Sequence, residues 1–426
     1  MDHLTKRQEG LGSDARSPFF TEEQEMLRDQ VRRFVEEEVK PFGEAWETQG
    51  FVPREVLRRM GALGFFGIRY PEAYGGADMD TLGSVVFAEE LGRSTFSGVA
   101  ITALVHTDMA SVHVFNAGSE AQKSGWMPKI VSGETICAVA VTEPDAGSDV
   151  KGIRTTARRT SEGYVLNGTK MFITNGVYAD LYCVAAKTGP MDGGSKAVTM
   201  FLIEKGTPGF RVGRALDKHG WRSSDTAELI FEDCLVPHDA VLGEEGAGFY
   251  AIMKNFQNER IVISAMAMGE AQAALDLTVT HLKTRRAFGA TLWDKQGIRQ
   301  RIAMRAAEVE AGRQLVYAAA WRDAQGHDVT REVSMAKAYC GNLVNAVMSD
   351  CLQFHGGIGF MRESTIERMT RDARVQSIGG GASEVMLEEV AKRLWGARPI
   401  TFPPAMPAAH CWTKGEDRPC RRNGFI

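Results

Sequence analysis

The chain has 426 residues, of which 44% are hydrophobic and 24% are charged. This length exceeds what one small core requires, so we expect two or three packed units with the composition of a globular enzyme. The formal net charge of -4 disfavours nucleic acid as a partner, and no uninterrupted apolar run approaches the roughly 18 to 20 residues of a membrane helix.

The seven cysteines are scattered and form no CxxC pair. An odd number of unclustered thiols is typical of reduced cysteines, so we expect a cytoplasmic protein. The histidines show no HExxH pattern and no pair four residues apart, so no metal site is expected. Residues 1–17 are polar and lack an apolar centre, which argues against a secretory signal and predicts a flexible N-terminus.

Helical periodicity dominates residues 18–132. Thr21 and Gln24 have the spacing of a capping box, which predicts that a helix begins there. Leu27 and Val31 then begin an apolar series with a period of three to four residues. We therefore predict an all-helical N-terminal domain.

Residues 133–243 have a different pattern, with short β-branched or aromatic segments separated by turn residues, and these predict a compact β domain. Helical patterning returns over residues 244–397. The order helix, strand, helix argues against a doubly wound nucleotide fold. Residues 398–426, which include several prolines, are expected to form an extended tail. The predicted strands cover residues 155–159, 164–167, 181–185, 197–204 and 227–231.

Two motifs of the β domain suit a nucleotide cofactor. In residues 138–149 an apolar strand enters a turn where Gly147 and Ser148 offer amides and a hydroxyl to a phosphate. In residues 170–175, Phe172 and Thr174 fall on one strand face and offer a wall and a hydroxyl to a flat heterocycle. Taken alone, each motif fits a simpler structure better, namely a strand exit or a hairpin strand with a buried Phe.

A third motif, residues 353–360, lies in the C-terminal helical region. Its glycines Gly356, Gly357 and Gly359 would each cost a helix roughly 1 kcal/mol. They therefore predict a break in the helix where the backbone comes close to another group. A plain turn between two helices would give the same pattern.

Together with residues 285–289 and 371–375, these motifs resemble the acyl-CoA dehydrogenase family in order and spacing over residues 18–397. The resemblance implies an α+β multidomain fold with an all-α N-terminal domain, a β-barrel or β-sandwich middle domain and a C-terminal four-helix bundle. It also implies bound FAD, an acyl-CoA substrate, an electron-transfer flavoprotein as electron acceptor and a homotetramer.

The resemblance assigns cofactor contacts to the β domain and, from a neighbouring subunit, to the helical domain. Two of the assigned residues depart from the family pattern, since Ala382 replaces the usual Thr and Glu384 stands where some members have Gln. The implied FAD-binding residues are Val141, Thr142, Gly147, Ser148, Phe172, Thr174, Arg285, Phe288, Gln296, Gln353, Gly356, Gly357, Ala382 and Glu384.

The catalytic base is missing from its most frequent place. Many members carry a Glu in a Tyr-Glu-Gly-Thr run, where this chain has three glycines and an alanine at residues 379–382. Glycine cannot accept a proton. In the helix after Gly248, however, Phe256 and Ile263 belong to an apolar face that also includes Glu259. We therefore expect Glu259 to be buried and its pKa to be raised by desolvation.

The long-chain and isovaleryl subgroups of the family carry their base in a Glu-Arg pair, which Glu259 and Arg260 match. The resemblance implies that Glu259 removes the α-proton of the acyl thioester while the β-hydride passes to the flavin. The Gly380 amide and a ribityl hydroxyl of the flavin would hold the thioester carbonyl. As an alternative, Glu259 is neutralised by an ion pair with Arg260 or Arg374.

Glycines at 379–381 leave volume near the acyl β-carbon, which predicts a long-chain or 3-methyl-branched substrate. Residues 217–227 and 378–382 also resemble citronellyl-CoA dehydrogenases. Three other functions stay open: a flavin oxidase or monooxygenase, a dehydrogenase of carrier-protein thioesters, and a thioester-binding scaffold without a base. The substrate contacts that the resemblance implies are Ser148, Gln257, Arg260, Gly380 and Gly381.

Overall fold

The structure is a computed structural model that describes residues 17–394. The predicted flexible N-terminus, apart from Ser17, and the predicted extended tail lie outside the described residues.

The N-terminal domain is helical, as predicted. Its first helix begins at the predicted capping box, in which the Gln24 amide donates to Thr21 Oγ1 (3.2 Å) and the Thr21 amide donates to Gln24 Oε1 (3.0 Å). The capping residues satisfy backbone amides that have no partner inside the helix. The helices are α1 Glu22–Phe34, α2 Gly43–Gln49, α3 Arg54–Ala62, α4 Thr81–Gly92, α5 Ser97–Leu104, α6 Ser111–Ala117 and α7 Glu120–Val131.

Helices α5 and α6 are continuous through a π-helical segment, Val105–Ala110, and together form the stretch Ser97–Ala117. With 21 residues and a mean hydropathy of 1.3, it is long and apolar enough to cross a membrane. However, 94% of its apolar window is buried inside the protein, so this stretch is a core element.

The middle domain is built on one sheet whose strands follow the spatial order β6-β7-β3-β2-β4-β5-β8, with β1 parallel to β4. The predicted segment 164–167 is only the start of an eleven-residue strand. Strand β6 was not predicted, because most of its residues reach the surface and it has no apolar alternation. The strands are β1 Cys137–Ala140, β2 Thr156–Arg159, β3 Tyr164–Thr174, β4 Leu181–Lys187, β5 Val198–Glu204, β6 Phe210–Ala215, β7 Thr226–Val236 and β8 Val241–Leu242.

The C-terminal domain is helical except for one short hairpin. The glycine-rich motif interrupts the helices as predicted, because α10 ends at His355 and Gly356 adopts a φ of +63°, which favours glycine. The elements are α8 Gly248–Thr284, β9 Arg286–Ala287, β10 Ala290–Thr291, α9 Gln296–Ala324, α10 Thr330–His355, α11 Thr365–Ala373 and α12 Ser383–Leu394.

Helices α4 and α8 cross with their backbones in close contact. A methyl group at Gly269 of α8 would overlap the carbonyl oxygen of Glu89, and one at Gly92 of α4 would overlap the carbonyl oxygen of Met266. The crossing lies in a core cluster shared by the N-terminal and C-terminal domains. Glycine is therefore required on both helices, and their crossing fixes α8 against the N-terminal domain.

We predict that Gly269→Ala destabilises the protein by about 1–3 kcal/mol, because the added methyl group forces packed helices apart. The matched control is Gly125→Ala in α7, where a Cβ meets no atom within 4 Å. That change should stabilise the protein by roughly 0.5–1 kcal/mol, since Ala restricts the unfolded chain. Urea unfolding measures both, and a Gly269→Ala protein as stable as the parent would contradict the close crossing.

Candidate active site

Glu259 lies on α8 and is buried, as the helical pattern predicted, with 7% of its surface exposed. Burial raises the pKa of Glu259 to about 7, although the nearby Arg260 charge and a hydrogen bond from Asn255 oppose the rise. The Asn255 amide donates to Glu259 Oε1 (3.1 Å) and to the Met109 carbonyl (3.0 Å). This carboxyl group can therefore hold and release a proton near neutral pH.

The alternative that an ion pair neutralises Glu259 is wrong for the described chain. Between residues 17 and 394, no lysine or arginine forms an ion pair with this carboxyl group. The Arg260 guanidinium lies over the Phe256 ring, 5.4 Å from its centre, and Arg374 donates to Ser377 Oγ (2.7 Å). Desolvation rather than pairing thus dominates the environment of Glu259.

Residues 378–382, the glycine loop, pack against α8 close to Glu259. A Cβ at Gly380 would overlap Ile263 Cδ1, and one at Gly381 would lie 3.5 Å from Arg260 Nε. Ile263 follows Glu259 by about one helical turn. Gly380 adopts a φ of +62°, and its amide has no hydrogen-bond partner within residues 17–394. An exposed N–H is therefore available to a ligand about one helical turn from Glu259 along α8.

Lys337 of α10 binds both the turn that precedes the glycine loop and the loop itself, a role that sequence reasoning missed. Its Nζ donates to the carbonyls of Gln376 (2.6 Å) and Gly381 (3.2 Å). Burial and the charge of Arg260 lower the pKa of Lys337 to about 8. No sequence pattern links a lysine on α10 to a loop about 40 residues later, because only tertiary packing brings them together.

Phe172 forms an exposed platform in the middle domain. The predicted strict alternation of Phe172 and Thr174 fails, because a β-bulge lies between Lys170 and Ile173 and Phe172 has a φ of +61°. Ile173 is buried, whereas Phe172 is 65% exposed and Thr174 is half-buried. The alternative of a hairpin strand with a buried Phe is therefore wrong.

The two motifs of the middle domain meet at this platform. The Met171 amide donates to the Thr142 carbonyl (2.9 Å), and Lys170 Nζ donates to the Val141 carbonyl (3.0 Å). Farther along the same loop, Gly147 and Ser148 are exposed, and a Cβ at Gly147 would meet no atom within 4 Å. An aromatic ring and accessible loop backbone thus border one surface.

A buried ion pair fixes this loop, and sequence reasoning missed it as well. Lys170 Nζ lies 2.7 Å from Glu143 Oε1, and the carboxylate also accepts from the amides of Arg154 (2.5 Å) and Thr155 (3.0 Å). Burial lowers the pKa of Lys170 to about 8, and the charge of Lys170 lowers the pKa of Glu143 against the effect of burial. Both residues stand in the two motifs, but their spacing gives no signal that they pair.

The remaining predicted cofactor residues gather mainly at the far end of the helical domain. The His281 and His355 rings stack with centroids 4.4 Å apart and bring the ends of α8 and α10 together. Phe288 is 95% exposed. Within residues 17–394, no hydrogen bond or ion pair joins this group to the Phe172 platform. The group comprises Arg285, Phe288, Gln296, Gln353, Gly356 and Gly357, all of which are exposed.

Three further predicted residues lie in or near the glycine loop or on α8. The Ala382 carbonyl accepts a hydrogen bond from the Met386 amide (3.0 Å). The exposed Glu384 lies in the first turn of α12, where the helix dipole stabilises a negative charge. Gln257 donates to Thr330 Oγ1 (2.9 Å), so its amide already has a partner.

Comparison with known proteins matches three consecutive parts of the chain. Residues 21–134 match the family "Acyl-CoA dehydrogenase, N-terminal domain", residues 138–234 match the middle domain, and residues 246–395 match the C-terminal domain.

Individual relatives agree over most of the chain. An acyl-CoA dehydrogenase of Bacillus subtilis is 39% identical over 376 residues, which are 88% of this chain and 99% of the relative. A long-chain specific acyl-CoA dehydrogenase of Mus musculus mitochondria is 37% identical over 380 residues, which are 88% of this chain and 87% of the relative. The crystal structure of an acyl-CoA dehydrogenase from Geobacillus kaustophilus has a TM-score of 0.85 at 39% identity, covering 89% and 99% of the two chains.

We predict that Lys170→Met destabilises the protein by about 3–5 kcal/mol, because it leaves the buried Glu143 carboxylate without its counter-charge. Urea unfolding measures the change. The double variant Glu143→Gln, Lys170→Met is the matched control and should recover a large part of the loss. Equal stability of the parent and the single variant would show that the pair does not hold the loop.

Proposed function

The chain belongs to the acyl-CoA dehydrogenase family, and we propose that it removes the α-proton and β-hydride of a long-chain or 3-methyl-branched acyl-CoA, with Glu259 as the base. The family is FAD-dependent, and its members are oxidoreductases that act on acyl-CoA. The burial of Glu259 one helical turn from the glycine loop is the observation that carries the proposal.

The residues of the Phe172 platform fit FAD. An exposed aromatic ring at a β-bulge offers a wall for a planar heterocycle, and the half-buried Val141 and Thr142 border it. The exposed backbone at Gly147 suits a phosphate group, because the residue has no side chain of its own and a Cβ there would meet no atom within 4 Å. When bound, FAD supplies the acceptor for the hydride from the acyl β-carbon.

Glu259 is suited to take the α-proton because its raised pKa makes the carboxylate a stronger base than an exposed glutamate. The Gly380 amide donates to the thioester carbonyl oxygen, which becomes more negative as the α-proton leaves. Since Gly380 packs on Ile263 of the same helix, α8 sets the relative positions of the base and the donor. In this proposal Arg260, Gln257, Ser148 and Gly381 contact the rest of the substrate.

The proposed substrate class is supported by the absence of side chains in the glycine loop. Three consecutive glycines leave the loop without side-chain bulk near the position proposed for the reacting carbons. A Cβ at Gly379 would lie 3.6 Å from Val375 Cγ2, an ordinary contact, so the loop has room there for a larger residue. This room supports a long or 3-methyl-branched acyl chain.

We further propose an electron-transfer flavoprotein as electron acceptor and a homotetramer as the assembly. The group around Phe288 supports the homotetramer, because its aromatic and glycine residues are exposed on the single chain. Ile358 and Phe360 add exposed apolar surface next to that group. A neighbouring subunit would cover this surface and bring Arg285 and Gln353 to the FAD of the first chain.

We predict that Glu259→Gln lowers the rate of flavin reduction by acyl-CoA by about 10²–10⁴-fold, because the amide cannot accept the proton. In the parent enzyme the rate should fall as the pH drops below about 7, since protonation of Glu259 removes the base. Anaerobic stopped-flow measurement of flavin absorbance tests both expectations.

The matched control is Glu120→Gln, the same chemical change at a side chain that is 86% exposed. It should leave the rate unchanged. If Glu259→Gln reduces its flavin as fast as the parent, Glu259 is not the base. If the parent itself bleaches neither with acyl-CoAs nor with carrier-protein thioesters, the chain is a thioester-binding scaffold.

We predict that Gly379→Tyr shifts the preference from long or 3-methyl-branched acyl-CoAs towards short straight ones, because the ring fills the space above Val375. A series of acyl-CoAs, measured as kcat/KM for the parent and the variant, tests this. A parent that prefers butyryl-CoA would contradict the proposed substrate class. Rapid peroxide release in the same assays would instead indicate an oxidase.

A further inference from the structure

The π-helical segment of the N-terminal domain, Val105–Ala110, packs against the part of α8 that carries Glu259. The Ser111 amide donates to the His106 carbonyl five residues earlier, which is the hydrogen bond of a π-helix. Side chains donate to four successive carbonyls of the segment, from His106 to Met109. The backbone of the segment therefore offers acceptors that side chains of other elements use.

Two asparagines of α8 bind the last two of these carbonyls. Asn258 Nδ2 donates to the Asp108 carbonyl (2.7 Å), and Asn255 Nδ2 donates to the Met109 carbonyl (3.0 Å). Both asparagine side chains are buried, so water does not replace them as donors. The segment and α8 are thus joined at two points about one helical turn apart.

Only one of the two asparagines also binds the proposed base. Asn255 Nδ2 donates its second hydrogen to Glu259 Oε1 (3.1 Å), four residues later on the same helix. The reversed amide would direct Asn255 Oδ1 at two other acceptors, the Met109 carbonyl and the Glu259 carboxyl group, so the orientation of the amide is fixed. Oδ1 itself has no partner within residues 17–394. The Met109 carbonyl therefore holds the amide that holds the carboxyl group.

The charged groups on the elements around this part of α8 do not take over that contact. Among the described residues, Arg260 is the only charge that acts on the pKa of Glu259. Lys337 of α10 donates to backbone carbonyls, and the buried Asp108 forms an ion pair within the N-terminal domain. Burial lowers the pKa of His113 of α6 to about 4, so that ring is neutral at physiological pH.

We propose that Asn255 is a positioning residue for the base: held by the Met109 carbonyl, it fixes Glu259 Oε1 and leaves Oε2 to take the α-proton. This inference rests on the proposed function, because it assigns the proton transfer to Glu259. Donation by Asn255 favours the ionised carboxyl group, since a hydrogen bond to a charged acceptor is stronger than one to a neutral acceptor. Asn255 acts on the reaction only through Glu259.

The test replaces Asn255 by Leu, which has a similar size but no donor, and measures flavin reduction in the holoenzyme from pH 5 to pH 9. The midpoint of the rate against pH should rise by about one pH unit, because a hydrogen bond to a charged group is worth about that much. At pH 6 Asn255→Leu should be about tenfold slower than the parent, with a smaller deficit at pH 9. A deficit of the same size at every pH would indicate a general structural defect and overturn the proposal.

The matched control is Asn258→Leu. It removes the same kind of hydrogen bond to the same π-helical segment, but Asn258 does not bind Glu259. Asn258→Leu should lose stability to a similar degree as Asn255→Leu and keep the parental pH midpoint. If both variants raise the midpoint equally, the hydrogen bond from Asn255 to Glu259 has no special role and the proposal fails.

Thermal unfolding at several pH values gives a readout that does not depend on activity. The folded parent holds the Glu259 proton up to about pH 7, whereas the unfolded chain releases it near the ordinary pKa of 4.5, so stability falls as the pH rises between these values. In Asn255→Leu the fall should continue to about pH 8. Its Tm deficit relative to the parent should therefore grow from pH 6 to pH 9, while that of Asn258→Leu stays constant. A constant deficit in Asn255→Leu would contradict the proposal.

A second variant keeps the test valid if Asn255→Leu does not fold, because Leu leaves the Met109 carbonyl buried without a donor. Asn255→Ala favours the helix and leaves room for a water molecule at that carbonyl. Its pH midpoint should also rise. A parental midpoint in Asn255→Ala would overturn the proposal.

The two readouts separate this inference from the proposed function. A parent that reduces no flavin at any pH, together with a Tm deficit of Asn255→Leu that grows as expected, would sink the proposed function and leave the bond between Asn255 and Glu259 established. An active parent whose pH midpoint is unchanged in Asn255→Leu would sink only the role of Asn255.

Discussion

The structure depends on how closely the glycine loop and α4 approach the single helix α8. At one contact Gly269 and Gly92 let two helical backbones touch, and at the other Gly380 lies where any Cβ would overlap Ile263. Neither contact tolerates a side chain without movement, since protein interiors transmit small volume changes. Helix α8 therefore connects the N-terminal domain to the loop, and it carries Glu259 about one helical turn before Ile263.

Two kinds of buried charge have different consequences in this chain. Glu143 and Lys170 form a paired, hydrogen-bonded unit that holds a loop of the middle domain in one position. Glu259 has only one amide donor and no ion-pair partner among the described residues, so burial raises its pKa. A paired carboxylate is stable but inert as a base at neutral pH, whereas an unpaired one can exchange a proton.

Local signals in the sequence predicted the helical parts well. The capping box at Thr21, the burial of Glu259 and the break at Gly356 each depend on residues within about one or two helical turns, and all three are confirmed. The β-bulge at Phe172 and the exposed strand β6 were missed, because neither follows simple alternation. The contacts of Lys337 and the pairing of Glu143 with Lys170 arise only when distant segments pack. The roles of the individual site residues remain predictions.

The central claim is that Glu259 takes the α-proton, and proton exchange tests it without hydride transfer. The holoenzyme would be incubated in D₂O with an acyl-CoA that has no hydrogen on its β-carbon, and NMR would follow the loss of the α-proton signal. The account predicts exchange in the parent at a rate that rises with pH through about 7, and no exchange above background in Glu259→Gln. Equal exchange rates in the two proteins would contradict it.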